Sequence, residues 1–357
     1  MKEARFWRTK DEGVVECQLC NHYCLIREGK KGICQVRQNR NGQLFSLNYG
    51  KLIASHVDPI EKKPLFHFLP GSKSFSIATS GCNLRCSWCQ NWDISQISSR
   101  NNPERLPFAA PEHVVGAALR AGCKSISYTY TEPTVFYEFV RDVSVLAKES
   151  GLKNIWVSNG YESQELLAEA SQLIDAMNID IKAFNEKTHR RFTGARMQPI
   201  LDNSQRIKDA GIWLEVTTLL IPGINDDTDQ IEGIAAFIAD KLGNDTPWHI
   251  SRYFPQPQFD EISATEPEII LNATQIGKRL GLKYVYGGNL GKGEDTYCPA
   301  CGTLLIARNS LWLMENRIED GHCTNCGEAI AGLWSLRDAS CLNEKPEGKF
   351  SHPVFVY

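Results

Sequence analysis

The chain has no long hydrophobic run and almost no net charge. No stretch approaches the ~18 to 20 consecutive apolar residues of a membrane span, and the opening residues, MKEARFWRTKDEG, lack the apolar centre of an export signal. A membrane is therefore not an expected partner. Lys and Arg number 39 against 42 Asp and Glu in 357 residues, so no net basic field draws the chain to nonspecific nucleic acid. Repeats and low-complexity tracts are also lacking. What remains is a globular chain, 42% apolar, long enough for one large domain of roughly 200 to 250 residues with smaller appendages. The expected compartment is the cytoplasm, where thiols stay reduced. There, 13 cysteines read as metal ligands or reactive groups rather than a disulfide framework.

Cysteine spacing carries the first chemical signal. Random placement would give roughly half a C-x2-C pair in such a chain, whereas there are four: Cys17/Cys20, Cys86/Cys89, Cys298/Cys301 and Cys323/Cys326. The stretch TSGCNLRCSWCQN adds Cys82 to give C-x3-C-x2-C, of which chance supplies about 0.02. Four thiolates normally hold a four-iron four-sulfur cluster, so a loop offering three leaves one iron open to a substrate or cofactor. The alternative is a structural site whose fourth ligand comes from elsewhere in the chain.

Organisation follows from rhythm. Residues 1–70 form an N-terminal cysteine-rich segment. From about 71 to 293, β-rich runs alternate with helical patterns, the mark of consecutive βα units and a parallel sheet. Strands are expected at 74–80, 125–131, 154–159, 176–182, 213–221, 248–254 and 283–288, with helices in PEHVVGAALRAG, PTVFYEFVRDVSVLAKES and TDQIEGIAAFIADKLG. The fold class is α/β, with six or seven parallel strands curled into a full or partial barrel. In such barrels ligands meet the C-terminal strand ends, and Cys82, Cys86, Cys89, Glu132, Ser158, Asn159, Asp180, Lys182, Arg252 and Asn289 all fall there. Residues 294–340 read as a small module, and 341–357 as a tail.

C-x3-C-x2-C with the aromatic Trp88 before its last cysteine resembles the motif of radical S-adenosylmethionine (SAM) enzymes. That resemblance implies a partial (β/α)6 barrel and a four-iron four-sulfur cluster on Cys82, Cys86 and Cys89. It also implies reductive cleavage of SAM to methionine and a 5'-deoxyadenosyl radical, with Trp88 in the cofactor-binding set. Together, DPIEKKPLFHFLPG, ATSGCNLRCSWCQNWDISQ, YTYTEPTVFYE, VSNGY, NIDIKAF, TLLIPGIND and GEDTYCPACG resemble the radical enzymes of the AmmeMemoRadiSam system, close to the pyruvate formate-lyase activating enzymes. By that likeness Glu132 stands where relatives place Gly-Gly-Glu, as acceptor for the methionyl ammonium; the two glycines are absent here. Ser158 or Asn159 stands where relatives carry an acid that contacts the cofactor, and a plain Asn-Gly turn is the alternative. Asp180 and Lys182, two apart on one strand, share a face. The lysine resembles one that pairs with the methionyl carboxylate, against a structural ion pair. Arg252 and His249 are weaker members of the same set.

The outer cysteines read as two further sites. Cys298, Cys301, Cys323 and Cys326 form C-x2-C-x21-C-x2-C with glycine-tailed knuckles, suited to zinc in a ribbon or to iron in the rubredoxin manner. Cys17, Cys20, Cys24 and Cys34 offer four thiolates within 18 residues, for an auxiliary iron–sulfur cluster or a zinc knot. Cys123 and Cys341 are left over and read as packing. EKKPLFHF, with Lys62, Lys63 and His67, reads as a cover for the barrel mouth or a partner surface, or simply a solvated charged face. The expected activity is that of a radical SAM enzyme acting on an unidentified substrate, a protein among the candidates. A flavodoxin- or ferredoxin-type reductant is expected, and the system name implies AMMECR1-like and Memo-like partners. The competing readings are a glycyl-radical-enzyme activase and a non-catalytic iron–sulfur or metal carrier.

Overall fold

The computed structural model describes residues 1–290 and 294–335. The proposed 341–357 tail, Cys341 and the last residues of the small module lie outside the described residues. An eight-stranded sheet organises the chain: β1 (Leu52–Pro59), β2 (Lys73–Thr79), β3 (Ser125–Tyr128), β4 (Lys153–Ser158), β5 (Ala176–Asp180), β6 (Trp213–Leu220), β7 (Trp248–Arg252) and β8 (Val285–Gly288). They lie side by side in chain order. β1 runs antiparallel to β2, and every later neighbour is parallel. The seven expected parallel strands are therefore present. The sheet is open: β1 and β8 are its two edges and do not pair with each other.

Buried runs explain why these segments are strands. Six of the seven residues of β2, KSFSIAT, are buried, the near-continuous pattern of a strand covered on both faces. The crossovers are helical: α1 (Pro111–Arg120), α2 (Tyr137–Glu149), α3 (Gln164–Ala170), α4 (Glu186–Thr193), α5 (Gln198–Asp209), α6 (Thr228–Phe237) and α7 (Pro267–Arg279). Their starts are set by local chemistry. Pro stands in the first turn of α1 and α7, and Ser163, Asn185 and Asp227 cap α3, α4 and α6 by accepting a backbone amide three residues on. Apolar helix faces such as Val114, Val140 and Ile234 join Ile126, Trp156, Ile179 and Trp248 in the main core.

The other face of the sheet is closed by chain rather than helix. Ile60, Leu65, Phe68 and Leu69 pack on Ala176 and Trp213, the first residues of β5 and β6. EKKPLFHF thus lies at the strand starts, and neither a mouth cover nor a solvated face describes it. Lys63 is fully buried because Asp58 Oδ2 sits 2.7 Å from its ammonium, while Lys62 takes the other oxygen at 2.9 Å. Beside it, Glu215 accepts the amides of Phe66 and His67, the Trp213 indole and a 2.6 Å contact from His249. His249 is accordingly a buried structural partner.

Small elements flank the sheet. Two three-stranded sheets occupy residues 2–46. Near the C-terminal end, a three-stranded sheet that includes β9 (Leu304–Asn309) and β10 (Trp312–Asn316) carries Cys298 and Cys301 in the turn before β9, and a separate two-stranded sheet, Ile318–Glu319 with His322–Cys323, brings Cys323 and Cys326. The sheet of β9 and β10 is tied to the segment before β2: Arg308 donates to the Phe66 carbonyl at 2.9 Å and lies over the Phe66 ring. All twelve described cysteines are free thiols, and among the described residues no helix is long and apolar enough to cross a membrane.

Candidate active site

Cys82, Cys86 and Cys89 lie on the loop that leaves β2 at its C-terminal end, and each is partly accessible. The loop is held from several sides. Arg85 and Ser87 amides donate to the carbonyls of Thr193 and Phe192 at the end of α4, at 2.9 and 3.0 Å. Trp88 is buried with Ile221 and Tyr253 and packs near Phe192 and Phe259. Its side chain therefore anchors the loop in an apolar cluster.

Donors surround the sulfurs. Leu84 N lies 3.4 Å and Asn159 Nδ2 3.8 Å from Cys82 Sγ, and Ser95 Oγ is 3.4 Å from Cys89 Sγ. Burial and then Glu132 push the Cys82 thiol well above its ordinary range. Burial likewise pushes the Cys86 thiol up to about 12, with Lys182 pulling against the shift. Thiols placed this way become ligands when a bound cation drives off their protons. Three thiols on one short loop, donors to two of them and a neighbouring ammonium fit an anionic iron–sulfur cluster.

Asp180 ends β5 and Lys182 follows two residues beyond it, with Nζ 2.9 Å from Oδ2; both lie near Cys86 of this loop. Burial opposes the lysine's charge, but Asp180 and the Cys86 sulfur hold its pKa above the ordinary lysine value. Asn159 also meets the loop, donating to Asn83 Oδ1 at 2.8 Å. Asn289 follows β8, and Arg252 ends β7. Arg252 donates to the Thr265 carbonyl at 2.8 Å and reaches the Asn289 carbonyl at 3.5 Å, with no hydrogen bond to the cysteine loop.

Glu132 and Ser158 take a different position. Glu132 is fully buried; its Oε1 accepts from Thr134 N, Thr134 Oγ1 and Ser158 Oγ, and its Oε2 from Asn159 N, all within 3.0 Å. Three internal donors already crowd Oε1 and a fourth meets Oε2. Burial raises its pKa against those hydrogen bonds. Ser158 spends its hydroxyl on Glu132, so this pair ties the β3 and β4 ends together.

Several site residues escaped sequence reasoning. Tyr130 holds φ +64°, a left-handed conformation unusual for a tyrosine. It sits two residues before Glu132. Its hydroxyl bonds Asp58 and its carbonyl accepts Asn91 Nδ2 at 2.7 Å. Asn83, Asn91 and Ser95 stood within or beside the cysteine stretch, but with no regular spacing to mark them.

At the C-terminal end the four sulfurs of Cys298, Cys301, Cys323 and Cys326 lie within 4.8 Å of one another. Cys298 to Cys326 is 3.6 Å and Cys301 to Cys323 is 3.8 Å. A tetrahedral ion with metal–sulfur bonds of about 2.3 Å separates its ligands by roughly 3.8 Å. The set fits one mononuclear metal.

A cysteine triad at the end of the first parallel strand of an α/β sheet defines a class, and residues 76–238 match the Radical SAM superfamily. The chain belongs to that superfamily of enzymes. An uncharacterized protein of Methanocaldococcus jannaschii is 43% identical over 336 residues, covering 92% of this chain and 99% of its own. More distant relatives are activating enzymes. The pyruvate formate-lyase-activating enzyme of Listeria monocytogenes is 24% identical over 58% of this chain and 90% of its own. The pyruvate formate-lyase 1-activating enzyme of Escherichia coli is 21% identical over 46% and 67%.

Proposed function

We propose that Cys82, Cys86 and Cys89 hold a four-iron four-sulfur cluster with one iron left to SAM. When bound, the pair supplies reductive carbon–sulfur cleavage, giving methionine and a 5'-deoxyadenosyl radical that acts on a substrate of unassigned identity. The carrying observation is the three-cysteine loop at the C-terminal end of β2 with the Lys182–Asp180 pair beside Cys86. Lys182 presents a cation for the methionyl carboxylate. Glu132 and Ser158 hold the Asn159 turn in place, and Asn159 donates to the cysteine loop. Trp88 and its aromatic neighbours fix the loop and keep water from its base.

Relatives named as activating enzymes support a protein substrate, with glycyl-radical installation as one form of the reaction and a flavodoxin or ferredoxin as reductant. The motif likeness supports the AmmeMemoRadiSam subgroup and AMMECR1-like and Memo-like partners. The C-terminal tetrad takes zinc, or iron in its place, as a structural ion. Such thiols suit a reducing cytoplasm. A pure metal carrier has no use for the ion pair beside Cys86.

The test is anaerobic reconstitution with iron and sulfide, followed by SAM and dithionite. The native chain is expected to produce 5'-deoxyadenosine and Cys86→Ala none. A native protein that binds iron and sulfide yet never cleaves SAM would refute the reading.

A further inference from the structure

We infer that Cys17, Cys20, Cys24 and Cys34 hold a second iron–sulfur cluster of the four-iron type, built directly against the Cys82 loop. All four cysteines line one small apolar cavity, together with Arg37 and Asn83. Size separates this tetrad from the C-terminal one. The sulfurs of Cys298, Cys301, Cys323 and Cys326 gather within 4.8 Å of one another, whereas the N-terminal four stand around a cavity. Four cysteines around one space match a polynuclear centre.

The cavity wall carries donors that nothing in the chain satisfies. Arg37 is 1% exposed and Asn83 is 1% exposed, and both line the cavity. Arg37 Nε and Asn83 Nδ2 are buried without a partner. Unpaired buried N–H groups cost about 1–3 kcal/mol each, more when charged, so their presence points to an acceptor between them. Unpaired donors and a buried cation beside thiolate sulfur are what stabilise an anionic cluster and set its potential. Glu138 neutralises one end of Arg37, with both oxygens 2.6 and 2.7 Å from Nη2, and leaves Nε free.

The two cysteine groups share a wall. Asn83 follows Cys82 in sequence and lines the N-terminal cavity. The His22 ring, two residues after Cys20, lies 2.8 Å from the Asn83 carbonyl. Gly81 approaches so closely that a Cβ there would stand 3.1 Å from the Cys34 carbonyl. Resting on the proposed function, this contact gives the second cluster its role as entry point for the electron. It takes one electron from a low-potential ferredoxin- or flavodoxin-type donor and returns to its oxidised state on passing that electron through the shared wall, with no proton moved.

The test uses the full chain reconstituted anaerobically with ferrous iron and sulfide. The native protein is expected to hold about eight sulfides. The triple variant Cys82→Ala, Cys86→Ala, Cys89→Ala leaves the N-terminal fold untouched and should retain about four. Electron spin resonance of the dithionite-reduced native chain should show a broadened, coupled signal that sharpens in the triple variant. With Cys20→Ala and Cys24→Ala together, deoxyadenosine formation should persist with dithionite and fall at least tenfold with reduced flavodoxin. A triple variant that retains no sulfide overturns the inference even if the native chain cleaves SAM. Sulfide retained by the triple variant upholds it even if SAM is not cleaved.

Discussion

Glu132 Oε2 accepts the Asn159 backbone amide at 2.9 Å, which joins the chain leaving β3 to the turn after β4. Its other oxygen takes Thr134 and Ser158. Glu132→Gln keeps the shape but turns one acceptor into a donor facing other donors. The expected loss is about 2–4 kcal/mol, read as a Tm several degrees lower. At a temperature where both proteins are folded, SAM affinity should stay within a few-fold of native. A hundredfold loss of affinity with unchanged Tm would instead make Glu132 a direct ammonium acceptor.

Lys182 is the charged group at the site that the chain leaves available. Exposed ion pairs contribute at most about 1 kcal/mol to stability, and Asp180 is one-third exposed. Lys182→Met should therefore leave Tm and iron content near native while weakening SAM binding at least tenfold by calorimetry. Asp180→Asn should do less, because it removes the partner and keeps the ammonium. Native affinity in Lys182→Met would reduce the pair to surface structure.

The contrast between these residues shows what a sequence displays. The cysteine triad's place at the end of the first parallel strand and all seven parallel strands were legible, because cysteine spacing and βα alternation are local patterns. Asp180 and Lys182 were legible as one face of one strand. Glu132 was visible as an acid at a strand end, but its internal bonding depends on Thr134, Ser158 and Asn159 arriving from separate elements. EKKPLFHF misled for the same reason: a charge run reads as solvated unless the compensating Asp58 is known to lie opposite. The left-handed Tyr130 left no mark, since only glycine advertises that conformation.

Acid should loosen the contact between the C-terminal sheet and the segment before β2. The His67 ring is buried between the Tyr286 hydroxyl at 2.6 Å and the Ala331 carbonyl at 2.7 Å. Burial lowers its pKa from 6.5 to about 4. Between those values the unfolded chain binds a proton that the folded chain refuses, so stability is full above about 6.5 and falls as pH drops through about 4. The window is worth about 3 kcal/mol. Denaturation midpoints at pH 7 and pH 4.5 should differ less in His67→Gln than in the native chain; equal pH slopes would exclude this histidine.

Gly81→Ala tests whether the two cysteine groups are rigidly in contact. Gly81 has φ +105°, and an added Cβ would meet Val36 Cγ1 at 2.8 Å and the Cys34 carbonyl at 3.1 Å. Backbone strain there costs about 1–3 kcal/mol, and the clash adds displacement of one loop from the other. Gly122→Ala is the control, because it shares a positive φ of +68° but faces open space. Both variants should lower Tm, Gly81→Ala by more. Only Gly81→Ala should lose iron and sulfide after reconstitution, since its Cβ pushes on Cys34 from the residue next to Cys82. If Gly81→Ala instead matched Gly122→Ala in Tm and held native iron, the loops would be free to part, and a shared wall could not couple them.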